Sequence, residues 1–184
     1  MIIGNILTFI GSVLMMLLGL TKNKKTFLLT QMGMNVFFAA GFICIGGVSG
    51  AVVNFVTMTR NAVCLKLRFN KALKVVFIGL QAGITLLFWL LDAPAEFGWM
   101  TVIFWLPVIA NCAFTWFMDS PNMIFIKALC IGTQILWGIY DFTVKNYSTV
   151  PFDIATVITN IIGIVLLVRA KDINAVSAND KREQ

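Results

Sequence analysis

The chain has 184 residues, 59% of them hydrophobic and 12% charged, with a mean hydropathy of +0.91 and no histidine. Soluble domains carry about 25% charged residues, so this composition describes an integral membrane protein without the residue type most used for acid–base chemistry and metal ligation. The net charge of +6 gathers at the ends of apolar runs, which makes it a topology signal and excludes nucleic acid as an expected partner.

Crossing the hydrocarbon core takes roughly 17–25 apolar residues, and seven runs qualify in chain order: 2–20, 27–46, 49–67, 72–91, 99–118, 123–142 and 150–168. The first lacks a basic leader or small-residue cleavage site and is expected to stay as a helix; the turn "TKNKK" follows. The second carries Gln31 and Asn35, and "GGVSG" turns the chain into the third, where "NFVTMTRNAVCLK" (54–66) embeds Arg60 in an apolar run. The fourth has Gly79 and Gly83 at the GxxxG spacing that lets helices approach closely, as do Gly46 and Gly50. The fifth contains Pro107 and Asn111; the sixth begins near Lys127 and contains Gln134 and Trp137; the seventh opens at "VPFDIATVITNII". The tail "KDINAVSANDKREQ" is polar and expected to be disordered.

Lys22, Lys24, Lys25, Lys66, Arg68, Lys71, Lys74, Lys127, Arg169, Lys171, Lys181 and Arg182 fall on one side of a seven-span chain. The other side holds Lys145 with Asp92, Glu96 and Asp141. Positive charge stays in the cytoplasm, so the N-terminus is expected outside and the C-terminus inside.

The third and seventh spans share a polar stripe. At an offset of 99 residues Asn54 meets Asp153, Thr57 meets Thr156, Arg60 meets Thr159, Asn61 meets Asn160 and Cys64 meets Gly163. These positions lie on one helix face about 120° wide. The preceding spans match as well, "FFAAGFIC" against "QILWGIYD" through Gly41 and Gly138, with a loop two residues longer in the second copy. Two same-way-up copies of three spans need one helix between them, giving a 3+1+3 parallel repeat of the SWEET type. The expected units are residues 1–68, a linker helix at 69–97, a second bundle at 98–169 and a polar tail at 170–184.

Several stretches carry a family resemblance: "TMTRNAVCLK", "LPVIANCAFTWF", and "WGIYDF" followed by "STVPFDIATVITNII". Through them the chain resembles the bacterial inner-membrane protein family YgjV over nearly its whole length. More remotely its architecture is similar to the SWEET, PQ-loop and PnuC-type transporters. The YgjV resemblance implies a multi-pass inner-membrane protein, and the SWEET resemblance implies that Asn61 and Asn160 face a substrate. The chain has no Pro-Gln dipeptide, which weakens a sugar assignment, and the second basic residue some YgjV members carry in span seven is replaced here by Gly163.

An ionisable residue within a span marks function by default. Arg60 is expected on a cavity wall, with a structural pairing or snorkelling to headgroups as alternatives. The candidate solute-binding set is Arg60, Asn61, Asn160, Asn54, Thr57, Asp153, Thr156, Thr159, Trp137, Asn35 and Gln134. Asp153 lies near the outer end of its span, so a direct pair with Arg60 is not expected. A guanidinium engages carboxylates and phosphates bidentately, which points to an anionic or otherwise polar solute. Trp137 would serve as a stacking wall, while Trp89, Trp99, Trp105 and Trp116 read as interface or packing residues. Cys44, Cys64, Cys112 and Cys130 have no metal or disulfide spacing.

The expected function is small-solute transport by rocking of two three-helix bundles in the lipid bilayer, without a cofactor or metal. A non-transporting receptor or interaction protein of the same fold is the alternative. An enzyme is not expected, since paired aspartates are missing, and no ATP-binding loop is present. A homo-oligomer stays open.

Overall fold

Continuous apolar sequence interrupted only by short polar turns folds as a chain of helices. The computed structural model describes residues 2–45, 48–67, 69–91, 98–143 and 149–180, and among them seven helices and no strand. These are α1 (Ile2–Leu18), α2 (Lys24–Ile45), α3 (Val48–Lys66), α4 (Lys71–Leu91), α5 (Trp99–Phe117), α6 (Met123–Thr143) and α7 (Val150–Asp180). Among the described residues three segments are long and apolar enough to cross a membrane by themselves: Lys24–Cys44, Met123–Tyr140 and Val150–Lys171. Ile2–Leu18 and Trp105–Phe117 are shorter apolar helices. Exposed Phe9, Phe55, Val75, Leu87, Val102 and Ile154 cover the outside of the bundle with hydrocarbon, the surface a bilayer solvates.

Asparagine starts three of the helices. Asn23 Oδ1 accepts from the Thr26 N–H at 2.8 Å, Asn70 Oδ1 from Leu73 at 2.9 Å and Asn122 Oδ1 from Ile124 at 3.0 Å, each satisfying an orphan first-turn donor. Pro107 lies inside α5, which continues through it to Phe117.

The main packing contacts run in sequence order, α1 on α2, α2 on α3 and so on to α6 on α7, and α7 returns to α1. The seven helices therefore close into a ring. Short connections make successive helices antiparallel, so α1 and α7 run the same way. The ring is sealed at the end that carries the basic turns, where Leu18, Phe27, Phe114, Met118 and Ile126 are buried together. Phe27 stacks on Phe114 with ring centroids 6.1 Å apart. Lys74 reaches Asp119 at 2.8 Å and lies 5.5 Å from the Trp116 ring centre, tying α4 to the end of α5 at the same level.

The seam between α1 and α7 is a backbone contact. A Cβ on Gly19 would overlap Thr159, and one on Gly163 would overlap the Gly19 carbonyl oxygen. Only glycine at both positions permits this approach.

Three expectations need correction. The tail is helical as far as Asp180, because α7 continues past its apolar portion with no proline or glycine to stop it. Gly79 and Gly83 have open space where a Cβ would sit; the face they form is not the one α4 packs on α3 and α5. The register of α2 against α6 is also not the expected one, as the matching turns described below establish. Gly46, Arg68, Asp92, Glu96, Lys145, Lys181 and Arg182 lie outside the described residues, as do the side chains of Trp89 and Asp141.

Candidate functional site

Six of the seven helices put side chains on a cavity of about 240 Å³; α4 contributes none. Its floor is the buried cluster at the basic end, and its wall extends to Phe42 and Thr149 near the opposite end. Apolar side chains make up most of its surface, but six amides, five hydroxyls and one carboxylate, Asp153, also line it. No lysine or arginine lines it among the described residues.

The lining positions obey one rule. Ser12 and Asn111, Met15 and Phe114, Gln31 and Cys130, Met34 and Thr133, Asn35 and Gln134, Phe38 and Trp137, Asn54 and Asp153, and Thr57 and Thr156 all line the cavity, and each pair is 99 residues apart. The turns repeat at the same offset. Thr21 N donates to Leu18 O at 3.2 Å and Ser120 N to Phe117 O at 3.0 Å; Phe27 N donates to Asn23 O at 3.0 Å and Ile126 N to Asn122 O at 3.1 Å. The capping residues Asn23 and Asn122 also keep this spacing.

The Gly41–Gly138 match, two residues out of step, is therefore not the structural equivalence. Gly41 accommodates Thr8 and Gly4 of α1, whereas Gly138 faces Asp153 of α7. The two glycines do different jobs.

Of the eleven candidate residues, Asn35, Asn54, Thr57, Gln134, Trp137, Asp153, Thr156 and Asn160 line the cavity. Thr57 and Thr156 turn their hydroxyls back onto the carbonyls of Val53 (3.0 Å) and Phe152 (2.7 Å), leaving hydroxyl lone pairs for another donor. Gln134 Nε2 donates to Asp153 Oδ1. Trp137 meets Tyr140 edge-on, with centroids 6.0 Å apart.

Arg60, Asn61 and Thr159 stand behind that wall. Arg60 is 2% exposed. Its Nη1 donates to Thr115 Oγ1 at 2.7 Å, while Nε and Nη2 donate to Asn61 Oδ1 at 3.3 and 3.1 Å. The guanidinium carbon lies 5.4 Å from the Phe114 ring centre, a cation–π contact in a desolvated setting. Thr115 passes its own proton to the Asn111 carbonyl at 2.7 Å. Thr159 packs against Gly19 and donates to Thr156 O at 3.1 Å. The guanidinium thus ties α3 to α5, spanning the two halves.

Lys127 is the residue that sequence reasoning placed at a membrane boundary and missed. Its side chain is fully buried. From α6, Nζ donates to the carbonyls of Gly19 (2.5 Å) and Leu18 (3.4 Å) at the end of α1. A cation there complements the negative end of the α1 dipole. The signal available was its position, five residues into a helix whose first turn is apolar. Arg60 and Lys127 form a reciprocal pair of ties, each reaching from one half to the first helix of the other. Neither has a copy at the 99-residue offset, where Thr159 and Leu28 stand.

Neither a curated protein nor a solved structure matches the chain. The model of the Imp-YgjV family, described as bacterial inner membrane protein, matches residues 2–171. With α1 to α6 and the membrane-length part of α7 inside that match, the chain belongs to the YgjV family of bacterial inner membrane proteins.

Proposed function

We propose that the protein is a small-solute transporter in which α1–α3 and α5–α7 form two like-oriented bundles, joined by α4, that rock about the central cavity. All seven helices cross the membrane in this reading, with the N-terminus outside and the C-terminus in the cytoplasm. The observation that carries it is the repetition of cavity-lining positions at 99 residues in three successive helix pairs. Repeat-built transporters hold their substrate between the copies. The reciprocal ties of Arg60 and Lys127 close the basic end in the state described here, and they are the contacts that rocking would exchange. A polar solute is favoured over an anionic one, since the guanidinium stands off the wall and a carboxylate stands on it.

Purified protein in liposomes tests the proposal: solute-dependent flux from this chain alone supports it, and saturable binding without flux supports a receptor instead. Reporter fusions at each terminus test the orientation.

A further inference from the structure

The two halves repeat, and the points where their polar contacts stop repeating are informative. Asn61 and Asn160 are equivalent, yet only the first is fully satisfied. Asn61 Oδ1 takes the Arg60 guanidinium, and Nδ2 donates to Gln31 Oε1 at 2.9 Å. Asn160 Nδ2 donates to the Thr156 carbonyl at 2.8 Å, which fixes the amide orientation and leaves Oδ1 buried without a protein partner. Thr159 stands where an arginine would supply one, and its hydroxyl goes to Thr156 O.

The second break lies between Asn35 and Gln134. Gln134 reaches Asp153; Asn35 is one methylene shorter, and its Nδ2 is buried without a protein partner. Both asparagines line the cavity, 2% and 1% exposed. One half thus offers an unused donor and the other an unused acceptor. Buried polar groups are almost always paired, so both await a partner from the cavity.

We infer that the cavity binds an uncharged, single-ring solute that accepts a hydrogen bond from Asn35 Nδ2 and donates one to Asn160 Oδ1, bridging the two halves. The wall has no cation to receive an anion, and its one carboxylate, Asp153, already takes the Gln134 amide; the two amide ends left to the solute are neutral and cannot repay the desolvation of an ion inside a membrane bundle. The volume of about 240 Å³ falls below the roughly 300–1,000 Å³ of ordinary ligand sites, which limits the solute to about one ring. Phe38 and Trp137, equivalent in the repeat, put an aromatic side chain on the wall from each half. The inference names the solute class of the proposed transport site.

Benzamide, benzoate and benzamidine are a matched neutral, anionic and cationic set that tests it. Titration calorimetry and melting of the full-length protein in detergent should show saturable benzamide binding, at least tenfold tighter than either ion. Asn160→Leu and Asn35→Leu should each weaken it tenfold or more. Equal or tighter binding of an ion, no benzamide binding at tens of millimolar, or full affinity in the leucine variants overturns the inference. Should one variant fail to fold, the other still decides. Selective benzamide binding without liposome flux would overturn transport and leave the solute class standing.

Discussion

A single guanidinium serves three neighbours at once at Arg60: Thr115 on α5, Asn61 on its own helix and the face of Phe114. A lysine has the charge but not the planar fork, so it cannot span Thr115 and Asn61 together. Arg60→Lys and Arg60→Gln should therefore both destabilise, by about 1–3 kcal/mol for each buried partner left unpaired, read as a lower melting temperature in detergent. Equal stability of Arg60→Lys and wild type would show that charge alone matters. The face of α3 on which Arg60 lies was legible from its spacing to Asn54, Thr57 and Asn61. Its neighbour was not, because a helical wheel gives direction around an axis and says nothing of which helix waits there. Lys127 failed for a related reason: a lysine within two turns of a helix start reads as a headgroup anchor unless another helix end is known to meet it.

The end of α1 joins two features, the Lys127 ammonium on its last carbonyls and the glycine-to-glycine seam with α7. Lys127→Met keeps the bulk of the side chain and removes the donor. It should cost about 1–2 kcal/mol, the scale of a partly buried charge–dipole contact, again measured by thermal melting. Gly163→Ala should be far worse, since its Cβ would overlap backbone rather than a movable side chain, and loss of monodisperse protein on size exclusion is the expected result. Gly83→Ala is the control. It meets open space, and replacing a helical glycine should be neutral or gain up to about 1 kcal/mol. Helix positions could be read from sequence because each run is continuous and apolar. The register between α2 and α6 could not, because Gly41 and Gly138 mimic a match at the wrong offset; only the cavity wall and the paired turns reveal that 99 residues holds throughout.

Across the whole molecule, the buried cluster at one end and the cavity toward the other imply one-sided access. In a cysteine-free background, Val53→Cys should react with a membrane-impermeant maleimide added from the side away from the basic turns. Thr115→Cys, behind the Phe114 floor, should stay protected. Labelling of Thr115→Cys from the basic side would show that this end is not sealed. The polar stripe and its 99-residue spacing were visible in advance, because membrane helices tolerate few polar residues and those few stand out. The ring closure was not, since a contact between α1 and α7 depends on two glycines 144 positions apart (19 and 163) that no local pattern connects.

That seam between α1 and α7 is held without any covalent link. In the proposed seven-span reading each half crosses three times and heads the same way, which would make each a complete insertion unit. Residues 1–68 and 98–184 expressed as separate polypeptides are then expected to co-purify, the cut removing only α4. On that reading two half-length copies would pair about an axis normal to the bilayer, with α4 as the splice that joins them in one chain. In such a pair of copies Arg60, Lys127 and Asn35 are among the residues without a counterpart of their own type, facing Thr159, Leu28 and Gln134.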